Sequence, residues 1–153
     1  MKQHDRAAFD RALHRARERA YDPGEYVEQE SFIRAAEIRA LAERAGVMAG
    51  ASVLDLCCGI AGPGRLLARE LGCRYLGVDS SASAIGIAGG RARGLPCRFE
   101  VAEIPPLPAG TFDVVLLLET MLAFEDKAAL VEGVARHWSR AGASRSRWRR
   151  ACR

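Results

Sequence analysis

Hydrophobic positions along the chain follow two different rhythms. Phe9, Leu13, Ala16 and Ala20 recur at helical spacing with charged residues on the other faces, which predicts a helix over residues 3 to 20. The Pro and Gly of "YDPGEY" then make a turn. A second helix is predicted from about residue 28 to 45, where Ile38, Leu41, Ala42 and Ala45 form a stripe that Gly46 stops, and both helices fit an ordinary packing layer. From "ASVLDLCC" onward, short apolar runs alternate with helical segments. The predicted strands are "ASVLDLCC", "CRYLGVD", "PCRFEV" and "TFDVVLLL". The predicted helices between and after them are "GPGRLLARELG", "SSASAIGIAGGRARG" and "EDKAALVEGVAR". Pro63 suits a first helical turn, a serine caps the middle helix, and acids sit in the first turn of the last one. Gly86, Gly89 and Gly90 weaken the middle helix. Strands that are apolar throughout are those covered on both faces, and strand–helix alternation gives parallel strands with right-handed crossovers. The fold class is therefore α/β, a doubly wound and mostly parallel sheet preceded by N-terminal helices.

Composition changes this picture little until the end of the chain. A length of 153 residues with 49% hydrophobic and 27% charged residues fits one globular domain. No apolar run reaches the ~18 residues of a membrane span, and the N-terminus has no secretory apolar segment, so a cytoplasmic protein is expected. The five cysteines include no CxxC, and the three histidines do not fall at ligand spacing to them, so neither a disulfide framework nor a metal site is expected. Charge is divided unevenly. Before Arg136 there are 16 basic and 19 acidic residues, while residues 136 to 153 carry seven arginines and no acid. The net charge of +4 thus belongs to the tail, and any argument for nucleic acid rests there alone.

The stretch "VLDLCCGIAGPG" carries the chemistry. A strand enters a glycine-rich turn that enters a helix, an arrangement in which backbone closely approaches a ligand and free N–H groups face it. Asp79 follows Gly59 by 20 residues and ends the second strand, where an acid accepts hydrogen bonds from ribose hydroxyls. The dinucleotide fingerprint GxGxxG is not met, because Ala61 stands in its second glycine position.

An acid, Asp55, followed by a small-residue turn resembles the first motif of class I S-adenosylmethionine-dependent methyltransferases, an acid followed by x-G-x-G-x-G. Cys57, Gly59 and Ala61 hold those glycine positions here. The resemblance covers residues 28 to 136 and implies a Rossmann-like fold with S-adenosylmethionine as cofactor. "GVDSS" then makes Asp79 the ribose ligand with Ser80 next to it. The segment around the third and fourth strands implies that Ala102 and Glu103 lie beside the adenine, although Val101 stands where the family often has an aspartate. Glu119 matches an acid of the methyl-transfer pocket and is the best internal candidate for a general base. Ala123 and Phe124 stand where a histidine is frequent. Tyr21 and Tyr26 flank the turn before the core and belong either to a lid over the cofactor or to a packed turn.

The expected organisation is N-terminal helices with a lid role over residues 1 to 50, a cofactor-binding core over 51 to 136, and a non-native or disordered basic tail over 137 to 153. The family continues past "LVEGVAR" with a Pro-Gly-Gly turn and a further strand, and one lost base near codon 136 converts such a segment into "HWSRAGASRSRWRRACR". The chain then supplies about four of the family's seven strands. Residues 114 to 118, "VVLLL", become an apolar edge open to self-association. The functional expectation is methyl transfer to a small-molecule acceptor, with weak or no turnover by this chain. Three alternatives stand beside it: a non-catalytic cofactor-binding fragment, a nicotinamide-dependent oxidoreductase, and a nucleic-acid module using the Arg/Trp tail, with nucleic acid disfavoured as a partner.

Overall fold

A computed structural model describes residues 3–138. The order is α1 (Gln3–Ala20), α2 (Ala35–Ala45), β1 (Ser52–Leu56), α3 (Gly62–Leu71), β2 (Arg74–Asp79), α4 (Ala82–Arg91), β3 (Cys97–Val101), β4 (Val114–Leu116), a 3-10 turn (Met121–Ala123) and α5 (Lys127–His137). The four strands form one sheet in the order β3-β2-β1-β4, and every pairing is parallel. β1 and β2 pair from Ser52↔Arg74 to Leu56↔Val78, which brings the ends of both strands to one edge of the sheet.

Side chains alternate along each strand, so β1 serves two cores. Val53, with Tyr75 and Val114 from its neighbours, packs in the layer that holds Ile38, Ala42, Leu66, Leu67 and Ala88 from α2, α3 and α4. Leu54 and Leu56 join Val78, Phe112 and Leu130 on the opposite face, where α5 packs. Helices thus cover both faces, as the continuously apolar strands require. Ser81 caps α4 by accepting a hydrogen bond from the Ala84 amide at 3.2 Å, so the helix forms despite its glycines. Asp126 does the same for α5 through the Ala129 amide at 2.8 Å.

Four expectations need correction. α2 begins at Ala35 and not near residue 28. Glu28 has φ 63°, a left-handed conformation no helix can contain. The buried Gln29 side chain then ties residues 25 to 33 into a folded strap. It accepts from the Val27 amide at 2.6 Å and donates to the Glu25 and Ile33 carbonyls at 3.0 and 2.8 Å. α1 is helical as predicted but is not a packing layer, because Phe9 and Leu13 on its apolar stripe remain 58% and 38% exposed. β4 is three residues long and does not reach Leu118. Its outer edge borders an apolar groove of about 300 Å³, lined in part by Val115, Leu117, Val131, Val134 and Trp138. Finally, α5 runs through His137, and Trp138 forms a parallel bridge with Phe112 while its indole N–H donates to the Asp113 carbonyl at 2.7 Å. Ordered structure therefore passes the boundary expected at residue 136. The rest of the expected basic tail lies outside the described residues.

Candidate cofactor site

The site forms where β1 ends. Cys57, Gly59 and Ala61 all have left-handed backbones, with φ of 60°, 54° and 56°. These are the three positions read from the sequence as the family's glycines. The turn reverses the chain by placing every second residue at positive φ, a conformation that costs an L-residue about 1 kcal/mol and glycine almost nothing. Cys57 and Ala61 bear that cost. Ala61 is fully buried and serves as the N-cap of α3, so the helix starts directly from the turn.

Asp79, at the end of β2, lies across from the turn. Its Oδ2 accepts the Gly59 amide at 2.9 Å and its Oδ1 accepts the Ser81 amide at 2.8 Å. One carboxylate therefore joins the glycine turn to the start of α4 and fixes the mouth between the two strand ends. The cavity there has a volume of about 720 Å³. Asp55, Cys57, Gly59, Asp79 and Glu119 line it, together with Cys58, Pro63, Leu118, Thr120, Met121 and Leu122. Glu30, Ser31 and Phe32 of the strap complete it.

Asp55 is buried, and it accepts a hydrogen bond from the Tyr75 hydroxyl at 2.6 Å. Burial pushes its carboxyl up to about 7, opposed by the Tyr75 hydrogen bond and reinforced by the nearby charge of Asp79. The Tyr75 hydroxyl, equally buried, is pushed up by burial and by Asp55. Gly64 makes this pair possible: a Cβ there would come under 3.0 Å from three atoms of the Tyr75 side chain. Burial also raises the Cys57 and Cys58 thiols, so both are held as neutral thiols at the cavity wall.

Glu119 occupies a left-handed position (φ 58°) just after β4, and its Oε2 accepts the Phe32 amide at 2.6 Å. The strap is anchored independently on the other side. Glu28 pairs with Arg65 of α3 at 2.5 Å and with Arg91 of α4 at 2.8 Å. Gly62 has no space for a Cβ because the Val27 carbonyl and the Glu28 backbone lie against it. Residues 27 to 32 thus bridge the start of α3, the glycine turn and the loop after β4.

Other residues singled out in the sequence lie further away. Ser80 and Glu103 are exposed, and Ala102 is half-buried; none of the three lines the cavity wall. They share its edge, however: Asp79 pairs with Val101 and the Ala102 amide donates to the Asp79 carbonyl at 3.0 Å. Tyr21 and Tyr26 do not line the cavity. Tyr21 donates to the Ser31 carbonyl at 2.8 Å, Tyr26 contacts His14 Nδ1 at 3.1 Å, and the two rings stand 5.5 Å apart. They brace the strap that reaches the cavity. The sequence reading missed Glu30, Phe32 and Cys58. Glu30 and Phe32 fell within a predicted helix, and only the left-handed Glu28 and the buried Gln29 place them over the turn.

The chain is similar to known proteins in sequence and in fold. The sequence profile described as "Methyltransferase domain" matches residues 53–142. Phosphoethanolamine N-methyltransferase 1 of Arabidopsis thaliana is 37% identical over 92 residues, covering 58% of this chain and 19% of that one. Methyltransferase GfsG of Streptomyces halstedii is 34% identical over 102 residues, covering 63% and 37%. The chain therefore spans well under half the length of these curated relatives. Among solved structures, coclaurine N-methyltransferase bound to N-methylheliamine and SAH superposes with a TM-score of 0.66 at 25% identity, over 77% of this chain and 37% of that one. A SAM-dependent methyltransferase from Geobacter sulfurreducens in complex with S-adenosyl-L-homocysteine gives 0.67 at 21% identity, over 75% and 48%. With a family match over more than half its length and a Rossmann-like parallel sheet, this chain belongs to the methyltransferase domain family.

Proposed function

We propose that the cavity at the ends of β1 and β2 binds S-adenosylmethionine and presents its methyl group to a small-molecule acceptor. The observation that carries this is the turn itself. Three alternating left-handed residues shape a turn whose Cys57 and Gly59 line the cavity, and Asp79 fixes the turn from the neighbouring strand. The cavity's volume of about 720 Å³ accommodates a nucleoside with an amino-acid arm. The donor set suits the ligand. Both oxygens of Asp79 keep acceptor capacity for ribose hydroxyls beyond their one amide each. Ala102 and Glu103 share the Asp79 edge, which is where the adenine belongs, and Ser80 lies beside the ribose. Gly59 and the Cys57 backbone face the amino-acid arm. When bound, S-adenosylmethionine supplies a methyl group on a sulfonium sulfur, activated for in-line displacement.

The chain's own contribution is to position the donor and the acceptor. Phe32, Leu118, Met121 and Leu122 give the wall beyond Asp79 an apolar face. Glu119 points into that part of the cavity with one oxygen held by the Phe32 amide, leaving the other to accept a proton or a hydrogen bond from the acceptor. A second reading, a cofactor-binding unit without turnover, is favoured by the openness of this wall: Phe32 and Leu122 are 90% and 89% exposed. The edge of β4, which pairs with no further strand among the described residues, and its apolar groove support pairing between copies. Calorimetry of the full chain with S-adenosylhomocysteine tests the binding. Saturable binding that is lost in Asp79→Ala is expected, and an unchanged isotherm in that variant would overturn the assignment. A methylation screen with small amines and alcohols then separates enzyme from binding unit.

A further inference from the structure

We propose that Glu28, which does not line the cavity, is a positioning residue for it: Glu28 pins the strap to α3 and α4, and cofactor affinity depends on that pin. The inference rests on the cofactor reading above and adds how this chain holds one wall of the site. Glu30, Ser31 and Phe32 supply that wall. Glu30 reaches the glycine turn so closely that a Cβ on Gly59 would come under 3.0 Å from its Oε2. A ligand that fills the cavity therefore meets the strap, and where the strap sits decides the shape it meets.

The pin is a side chain at a position where the backbone alone favours none. Glu28 has φ 63°, a conformation that glycine adopts without strain and glutamate does not. What a glutamate adds there is a carboxylate. Its Oε2 accepts from Arg65 Nη2 at 2.5 Å, and its Oε1 pairs with Arg91 Nη1 at 2.8 Å. The Arg65 side chain is 8% exposed, and Glu28 is its single ion-pair partner among the described residues. Removing the carboxylate leaves that buried charge uncompensated, so the pair holds the strap firmly. The backbone is seated to match, since the Val27 carbonyl and Glu28 itself fill the space a Cβ on Gly62 would need.

The two arginines come from the two helices that leave the cofactor-facing strand ends. α3 starts from the glycine turn, and the Arg65 amide donates to the Ala61 carbonyl at 3.0 Å. α4 starts beside Asp79, whose Oδ1 accepts the Ser81 amide, and Arg91 is its last residue. One helix leads from the turn, the other from Asp79, and both converge on one carboxylate of the strap. From Glu28 the strap runs past the buried Gln29 to Phe32, whose amide Glu119 holds across the mouth. A ligand that fixes the turn and Asp79 relative to each other thus favours the seated strap. By linkage, the seated strap favours the ligand to the same degree.

Calorimetry of the full chain with S-adenosylhomocysteine tests the pin, together with hydrogen exchange of residues 25 to 33 with and without that ligand. Wild type is expected to bind and to slow exchange in the strap on binding. Glu28→Gln keeps the size and removes the charge. It is expected to bind at least about fivefold more weakly and to lose the strap protection even at saturating ligand. Glu28→Gly is expected to lose affinity as well, although its backbone is relaxed, which separates the pin from the turn conformation. Arg91→Gln, at the exposed end of α4, is expected to weaken binding in the same direction and decides the matter if the Glu28 variants do not fold. Wild-type affinity in folded Glu28→Gln or Glu28→Gly, or in Arg91→Gln where those do not fold, overturns the pin and leaves the cofactor assignment intact. Full strap protection in ligand-bound Glu28→Gln overturns it too. If wild type itself does not bind, the cofactor reading fails and the pin falls with it.

Discussion

Gly64→Ala is the smallest change that attacks the base of the site. The added methyl would lie under 3.0 Å from Cζ, Cε2 and Oη of Tyr75. Neither partner has room to yield, because Tyr75 is 2% exposed and its ring packs edge-on against Phe99. Carbon atoms settle about 3.5 to 4.0 Å apart, so the ring must move by more than about 1 Å. Overpacking of this kind costs about 1 to 3 kcal/mol. The same movement breaks the 2.6 Å hydrogen bond to Asp55 and leaves a buried carboxyl and hydroxyl unsatisfied, adding about 1 to 3 kcal/mol. A loss near 4 kcal/mol is expected, a large part of the ~5 to 15 kcal/mol that holds a domain of this size together. Urea unfolding followed by far-ultraviolet circular dichroism measures it. Tyr75→Phe should not rescue the variant, since the clashing ring carbons remain. Tyr75→Leu in the Gly64→Ala background should recover part of the loss, because the methyl then fills space the ring has left. A Gly64→Ala loss under about 1 kcal/mol would refute this reasoning, as it would mean the Tyr75–Asp55 contact adjusts freely.

Two further predictions concern the same turn. Asp55 binds its proton more tightly folded, at about 7, than its ordinary value of 3.8, so its contribution favours the fold below about pH 4 and is lost as pH rises toward 7. Asp55→Asn should therefore gain stability relative to wild type as pH increases from 4.5 to 7.5, in urea midpoints measured across that range. Parallel curves would show that Asp55 titrates normally. Cys57→Gly should stabilise the chain by up to about 1 kcal/mol, because glycine accepts φ 60° without strain and opens the cavity wall. It should also leave S-adenosylhomocysteine binding equal or tighter; a net destabilisation would show that the Cys57 thiol packs more favourably than its backbone is strained.

What was legible in the sequence follows from how local each signal is. The strands and helices of the α/β core are set by short apolar runs, caps and glycines, and they appear close to where the pattern predicts. The turn was legible for the same reason: small residues at every second position record a backbone that reverses through left-handed conformations. The strap was not legible. Its helical spacing of apolar residues is genuine from Ala35 onward, but between residues 28 and 34 the chain is governed by distant partners. Arg65 and Arg91 hold Glu28, the missing side chain of Gly62 admits the Val27 carbonyl, and Glu119 takes the Phe32 amide. None of these leaves a periodic trace. The amphipathic stripe of α1 misled for the opposite reason, since a stripe reports the capacity to be buried and not the presence of a neighbour. At β4 the apolar run continues past Leu116 because Leu117 and Leu118 are needed beside the groove and the cavity and not in the sheet.

The central claim is that the β1 turn and Asp79 form the cofactor site. A crystal structure of the full chain grown with S-adenosylhomocysteine tests it most directly. The account predicts the ribose hydroxyls within hydrogen-bond distance of the Asp79 carboxylate, the amino-acid arm over Cys57 and Gly59, and the adenine toward Ala102. A nucleoside bound elsewhere on the chain, with Asp79 still engaged only by the Gly59 and Ser81 amides, would contradict it.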